Sequence, residues 1–301
     1  MRYLMLIYDA SAPSFCYYAS HGKSERMSLD TLREAIRFAR MEGLLLNVIT
    51  GSELLPRDVR EELDGIVHTV IAPWNYPHDN VKDVSVVEWS PDLAFESLPD
   101  DPQANIIMRF PREALPLLSD SVRRLLRKGC RLNFQMLDTD RWTENDFCVY
   151  AAQLEQLASF VPGAGVELNI LTDRLNLQKM NSCGAGDDCI TVAPDGKFYV
   201  CPGFYYDDAA PCGDLESGLA LPNRHLYKIE NAPICRICDA WQCRRCIWMN
   251  LRSTGEVNTP SRGQCVAAHK ERHAGVIVSA GTPEPLQDVP YEDPFDTLKK
   301  K

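Results

Sequence analysis

Nine of the twelve cysteines fall between residues 183 and 265, and four of those, Cys235, Cys238, Cys243 and Cys246, crowd into "CRICDAWQCRRC". In a reducing compartment thiols at such density bind metal more often than they form disulfides. The N-terminal "MRYLMLIYDASAPS" turns acidic at Asp9 before it reaches the apolar core of a signal peptide, and no stretch is apolar for the roughly 18–20 residues of a membrane span. The expected location is therefore cytoplasmic, with no membrane partner. A net charge of −10 excludes a counterion-releasing nucleic-acid surface, so no nucleic-acid partner is expected either.

The first half has a different character. Apolar runs such as "RYLMLIY" (2–8), "LLLNVITG" (44–51), "NIIMRF" and "RLNFQML" alternate with amphipathic stretches such as "SLDTLREAIRFARMEG" (28–43) and "ENDFCVYAAQLEQLASFV". Ser28 or Asp30 is placed to cap the first of these helices and Gly43 to end it. Repeated β-α-β alternation predicts an α/β fold with a mostly parallel sheet flanked by helices, open or part of a barrel. No glycine-rich phosphate loop and no Ser-His-Asp arrangement is present in this half.

After residue 171 the texture changes to short strands and turns. "CITVAPDGKFYVC" (189–201) predicts a β-hairpin with Cys189 and Cys201 at its open end. Three parts follow: an α/β domain over 1–171, a small Cys-rich α+β metal domain over 172–275, and a Pro-rich, charged tail over 276–301 expected to be disordered. A zinc ribbon separates its two C-x2-C knuckles by about 15–20 residues, whereas four residues separate Cys238 from Cys243. Two tetrads sharing the segment account for Cys183, Cys189, Cys201 and Cys265 as well; thiolate tetrads hold either zinc or Fe–S clusters. Cys212 reads as a spare thiol and Cys130 and Cys148 as plain buried residues. His269, four residues after Cys265 and in register with His273 on one helix face, is a candidate substitute ligand, although exposed helix surface is the simpler reading.

The array of Cys183, Cys189, "GKFYVC", the quartet and a final Cys265, with "CGDLESG" (212–218) after the hairpin, resembles the SPASM domains of radical S-adenosylmethionine peptide-modifying enzymes. The quartet spacing departs from that pattern, being x2, x4, x2 where the family usually has x2, x5, x3. The resemblance implies one set on Cys183, Cys189, Cys201 and Cys246 and another on Cys235, Cys238, Cys243 and Cys265. Two 4Fe-4S clusters, or alternatively zinc, would occupy them. The first half likewise resembles a radical S-adenosylmethionine partial (β/α) barrel: "SAPSFCYY" stands where such enzymes carry C-x3-C-x2-C, and "TGSELLP" (50–56) where they carry Gly-Gly-Glu-Pro. Only Cys16 of the three thiols is present, so S-adenosylmethionine cleavage by this chain is not expected; Cys16 is either a vestige or a nucleophile, the one candidate catalytic residue. Glu53 is at most a remnant of a cofactor-amine ligand.

"MNSCGAG", "CPGFYYDD", "APICRICDAWQC" and "EVNTPSRGQC" further resemble the CXXX repeat peptide maturase family, degenerate members of that superfamily. This resemblance implies an accessory maturase acting on a ribosomally made, Cys-rich precursor peptide beside a separate, complete radical enzyme. The alternatives are a stand-alone peptide-modifying metalloenzyme and a zinc scaffold that docks partners.

Overall fold

The computed structural model describes residues 1–78, 83–98, 100–101, 103–129 and 131–280. Cys130 and most of the expected tail lie outside the described residues; of that tail, 276–280 continue the last helix. The chain has the expected α/β class. It divides into two compact units, each drawn from two stretches of sequence: 1–87 with 183–232, and 88–182 with 233 onward. The Cys-rich segment thereby contributes to both units.

In the first unit, β1 (Tyr3–Ile7), α1 (Leu29–Glu42), β2 (Leu45–Ile49), α2 (Arg57–Leu63), β3 (His68–Pro73) and β4 (Val84–Glu88) follow in β-α order. Strands β1 to β4 pair in parallel, each with the next. Leu4, Leu6 and Ile7 of β1 are fully buried although they point to opposite faces, because a parallel sheet is covered on both sides. Helix α1 begins where Ser28 accepts the Thr31 amide at 3.1 Å and ends at Gly43, whose φ of +66° returns its amide to the Ala39 and Arg40 carbonyls. Leu32, Ala35, Ile36 and Ala39, spaced at i, i+3, i+4 and i+7, form its buried stripe.

Beyond β4 the chain passes through the second unit and then returns to the first. In chain order the strands and helices along this path are β5 (Asn105–Phe110), α3 (Leu118–Leu125), β6 (Arg131–Met136), α4 (Glu144–Phe160), β7 (Glu167–Leu168), β8 (Cys189–Val192), β9 (Phe198–Tyr199) and α5 (Pro202–Tyr206). The returning stretch extends the sheet of the first unit. Strand β8 pairs in parallel with the other edge of β1, Tyr3 opposite Cys189, and β9 returns antiparallel to β8 as the expected hairpin.

The second unit carries the parallel order β7-β6-β5. A capping box starts α4: the Asp146 amide reaches Thr143 Oγ1 while the Thr143 amide reaches Asp146 Oδ2 at 2.7 Å. The stretch "PREALPLLSDSVRRLLRKG" opens with a 3-10 turn over Arg112–Leu117 before α3, because Pro116 has no amide to donate and crowds the preceding turn. "VELNILT" contributes only two strand residues. Helices α6 (Ile247–Thr254) and α7 (Arg262–Ala280) complete the unit, α7 packing along α4. Among the described residues no helix is long and apolar enough to cross a membrane.

Candidate metal centre

In the first unit the chain turns sharply after Cys183. The Gly184 carbonyl accepts the amides of Asp187, Asp188 and Cys189 at 3.0, 2.8 and 2.9 Å, a turn that needs the φ of +70° at Gly184. It lays Cys183 beside the start of β8. The hairpin pairs Thr191 with Tyr199, with Cys189 at the start of β8 and Cys201 two residues beyond β9. Burial and the nearby Cys183 push the Cys189 thiol up to about 12, with the Met5 backbone amide opposing. Cys201 is raised well above the ordinary thiol range by burial, then by Cys183 and Cys16, while the amides of Phe204 and Gly203 favour its thiolate. Cys212 donates to the Phe198 carbonyl at 3.4 Å, consistent with a spare thiol.

Cys16 lies in the loop that leaves the C-terminal end of β1, its amide 3.2 Å from Ser14 Oγ. That loop is fastened to α5: Tyr206 donates to the Ala10 carbonyl at 3.0 Å, and its ring stacks on Tyr18 with centroids 5.2 Å apart. At the same strand end the buried Asp9 carboxylate takes Arg26 Nε at 2.8 Å, and the same guanidinium reaches Glu53 at 2.7 Å. Glu53 is thus an exposed partner of Arg26. Neither Asp9, Arg26 nor the tyrosine pair stands out in the sequence, because each acquires its role from chain segments distant in number.

In the second unit the quartet folds over α7. Backbone amides point at its sulfurs: Ala240 to Cys238 at 3.4 Å, Met249 to Cys246 at 3.4 Å, and Arg245 to Cys243. Burial raises the Cys243 thiol well above its ordinary range, and the proximity of Cys265, Cys235 and Glu271 adds to this. Burial also pushes Cys235 to about 11 and raises Cys238; the Arg245 charge pulls Cys235 back. Arg245 is only 1% exposed and sits at φ +33°, a left-handed conformation unusual for a side chain of its size. Its neighbour Arg244 instead donates to Asn133 Oδ1 at 3.0 Å. His269 Nε2 comes within 3.5 Å of Cys238 Sγ, so its helix position is more than exposed surface. Close by, Glu271 accepts from Tyr150 Oη at 2.7 Å and is raised to about 7, chiefly by burial.

Cys235, Cys238, Cys243 and Cys265 therefore share one neighbourhood, as do Cys183, Cys189 and Cys201; Cys246 belongs to the second unit, where it caps α6. Soft thiol donors supplied with amide hydrogen bonds suit a thiophilic metal, since N–H···S bonds spread thiolate charge. Among the described residues no three or more His, Cys, Asp or Glu side chains are already gathered into a ligand set.

The architecture is an α/β fold with a parallel sheet, and it is shared with SuiB of Streptococcus suis. SuiB of Streptococcus suis bound to its precursor peptide SuiA matches with a TM-score of 0.54 at 12% identity, over 88% of this chain and 76% of SuiB. SuiB bound to S-adenosylmethionine matches with a TM-score of 0.55 at 12% identity, over 88% of this chain and 77% of that one. At such identity the likeness is one of fold. The chain matches no protein-family model and no curated protein.

Proposed function

We infer that this chain is an accessory component in the maturation of a ribosomally made, Cys-repeat precursor peptide, working in the cytoplasm beside a separate radical S-adenosylmethionine enzyme. The observation that carries the reading is the combination of a SuiB-like fold with a single thiol, Cys16, in the loop after β1 and two neighbourhoods of thiols elsewhere. SuiB has been solved with a precursor peptide, which supports a peptide as the partner here. One thiol in that loop is too few to hold a cluster with an iron open to S-adenosylmethionine, which supports leaving the radical chemistry to a partner enzyme. The Cys-rich stretch over 172–275 acts as the metal-holding part. Cys183, Cys189 and Cys201 contribute to one centre; Cys235, Cys238, Cys243 and Cys265 form the other.

Two 4Fe-4S clusters would supply structural support or electron transfer. Arg245, buried beside Cys235, would offset the charge of a tetrathiolate centre. Zinc is a second reading for the second centre, favoured by His269 at 3.5 Å from Cys238, because mixed Cys/His sets are zinc ligands. Anaerobic purification followed by iron, zinc and sulfide analysis tests both. About eight irons with matching sulfide support the clusters, and one or two zincs without sulfide support the scaffold. Absence of both metals, or failure of the loaded chain to bind a CXXX-repeat peptide in calorimetry, overturns the maturation reading.

A further inference from the structure

Four tyrosines of the first unit form a continuous row of touching rings. Tyr199 ends β9, Tyr205 and Tyr206 belong to α5, and Tyr18 comes from the loop after β1. Ring centroids lie 5.3 Å apart between Tyr199 and Tyr205, 5.2 Å between Tyr205 and Tyr206, and 5.2 Å between Tyr206 and Tyr18. The first two pairs meet edge to face at 70° and 69°, and the third is stacked with its planes 13° apart. Packing alone would be served as well by phenylalanine, without the cost of burying a hydroxyl. Yet every ring in the row is a phenol, none more than 8% exposed. Three of the hydroxyls have acceptors in place: Tyr199 donates to Asp195 Oδ2 at 2.9 Å, Tyr205 to Glu25 Oε2 at 3.4 Å and Tyr206 to the Ala10 carbonyl at 3.0 Å. Asp195 and Glu25 are exposed, so at the Tyr199 end a phenol proton can pass through a carboxylate to water. Lys23, 4.3 Å from the Tyr205 ring centroid, disfavours positive charge on that ring.

We propose that Tyr18, Tyr206, Tyr205 and Tyr199 form a path along which a one-electron hole travels, draining oxidising equivalents from the loop after β1 to the surface at Tyr199. The path needs no metal and is independent of the maturation reading. An oxidant of the oxyl-radical class takes one electron from a ring of the row and is reduced to its anion. Neighbouring rings then pass one electron each toward the vacancy, which moves the hole along the row. It rests at Tyr199, where the O–H bond breaks as the proton passes to the Asp195 carboxylate, the shortest phenol–carboxylate contact in the row. A soluble thiol returns the missing electron, its own proton going to water, and Asp195 gives back the phenol proton.

The test places 3-aminotyrosine, which is oxidised more easily than tyrosine, at position 18 of the full chain as a sink for holes. A ruthenium polypyridyl photo-oxidant with persulfate as electron acceptor generates holes at the surface; Tyr18, 4% exposed, is out of its direct reach. Electron paramagnetic resonance then reads the yield of aminotyrosyl radical. The expected result is a clear aminotyrosyl signal that falls several-fold in Tyr205→Phe and in Tyr206→Phe, each of which keeps the ring and removes the hydroxyl. Tyr206→Phe also gives up the Ala10 hydrogen bond, whereas Tyr205→Phe leaves it intact, so the second variant separates conduction from fastening of the loop. Tyr3→Phe, on β1 and off the row, should leave the yield unchanged. No signal at position 18, or a yield in Tyr205→Phe equal to that of the parent, overturns the proposal.

Discussion

His269 Nε2 lies 3.5 Å from Cys238 Sγ, joining α7 to the thiol quartet across thirty-one positions of sequence. Whether the imidazole binds metal directly or steadies the sulfur, removing it should weaken the second centre. His269→Ala is expected to lower metal affinity on the order of 10-fold, as removal of groups supporting a ligand does. Competition with a chelator measures it; unchanged affinity would show that the contact serves packing alone.

Glu271 has its proton affinity raised from the ordinary 4.5 to about 7, mainly by burial, with the Tyr150 and Gln242 hydrogen bonds opposing. Between those values the folded chain holds a proton that the unfolded chain releases. Stability contributed by this group must therefore fall as pH rises through that window, each unit of displacement being worth about 1.4 kcal/mol. Urea midpoints of the metal-free chain at about pH 5 and about pH 8 should show the decline, and Glu271→Gln should reduce it. A variant with the wild-type slope would assign the dependence to other groups.

Arg26 spans a buried carboxylate, Asp9, and an exposed one, Glu53. Among the described residues, Arg26→Ala leaves Asp9 with the Ser11 donors, an expected cost of about 1–3 kcal/mol. Glu53→Gln removes a partner that water replaces, so its cost should stay within about 1 kcal/mol. Denaturant unfolding of the two variants would contradict this account if their costs were equal.

Gly263, in the first turn of α7, leaves no room for a side chain: a Cβ there would lie 1.9 Å from the Thr139 carbonyl oxygen. Gly263→Ala should therefore destabilise by about 3 kcal/mol, at the upper end for overpacking. Gly163, with nothing within 4 Å of the same position, is the control; Gly163→Ala should change stability by less than about 0.5 kcal/mol. Similar melting temperatures for both variants would show that α7 moves aside at little cost.

Local features were legible in the residues alone. The Ser28 cap and Gly43 stop of α1, the buried run of β1 and the β8–β9 hairpin all follow from propensity and periodicity, which act over a few neighbouring residues. Clustering of cysteines likewise marked the region of the candidate centres. Tertiary structure decided the rest, because the remaining relationships join segments far apart in number: β8 pairs with β1, Tyr206 meets Tyr18 and Ala10, and His269 reaches Cys238. Spacing along a chain reports which thiols are near in sequence; only the packing of the chain buries Arg245 within the quartet and turns His269 toward Cys238.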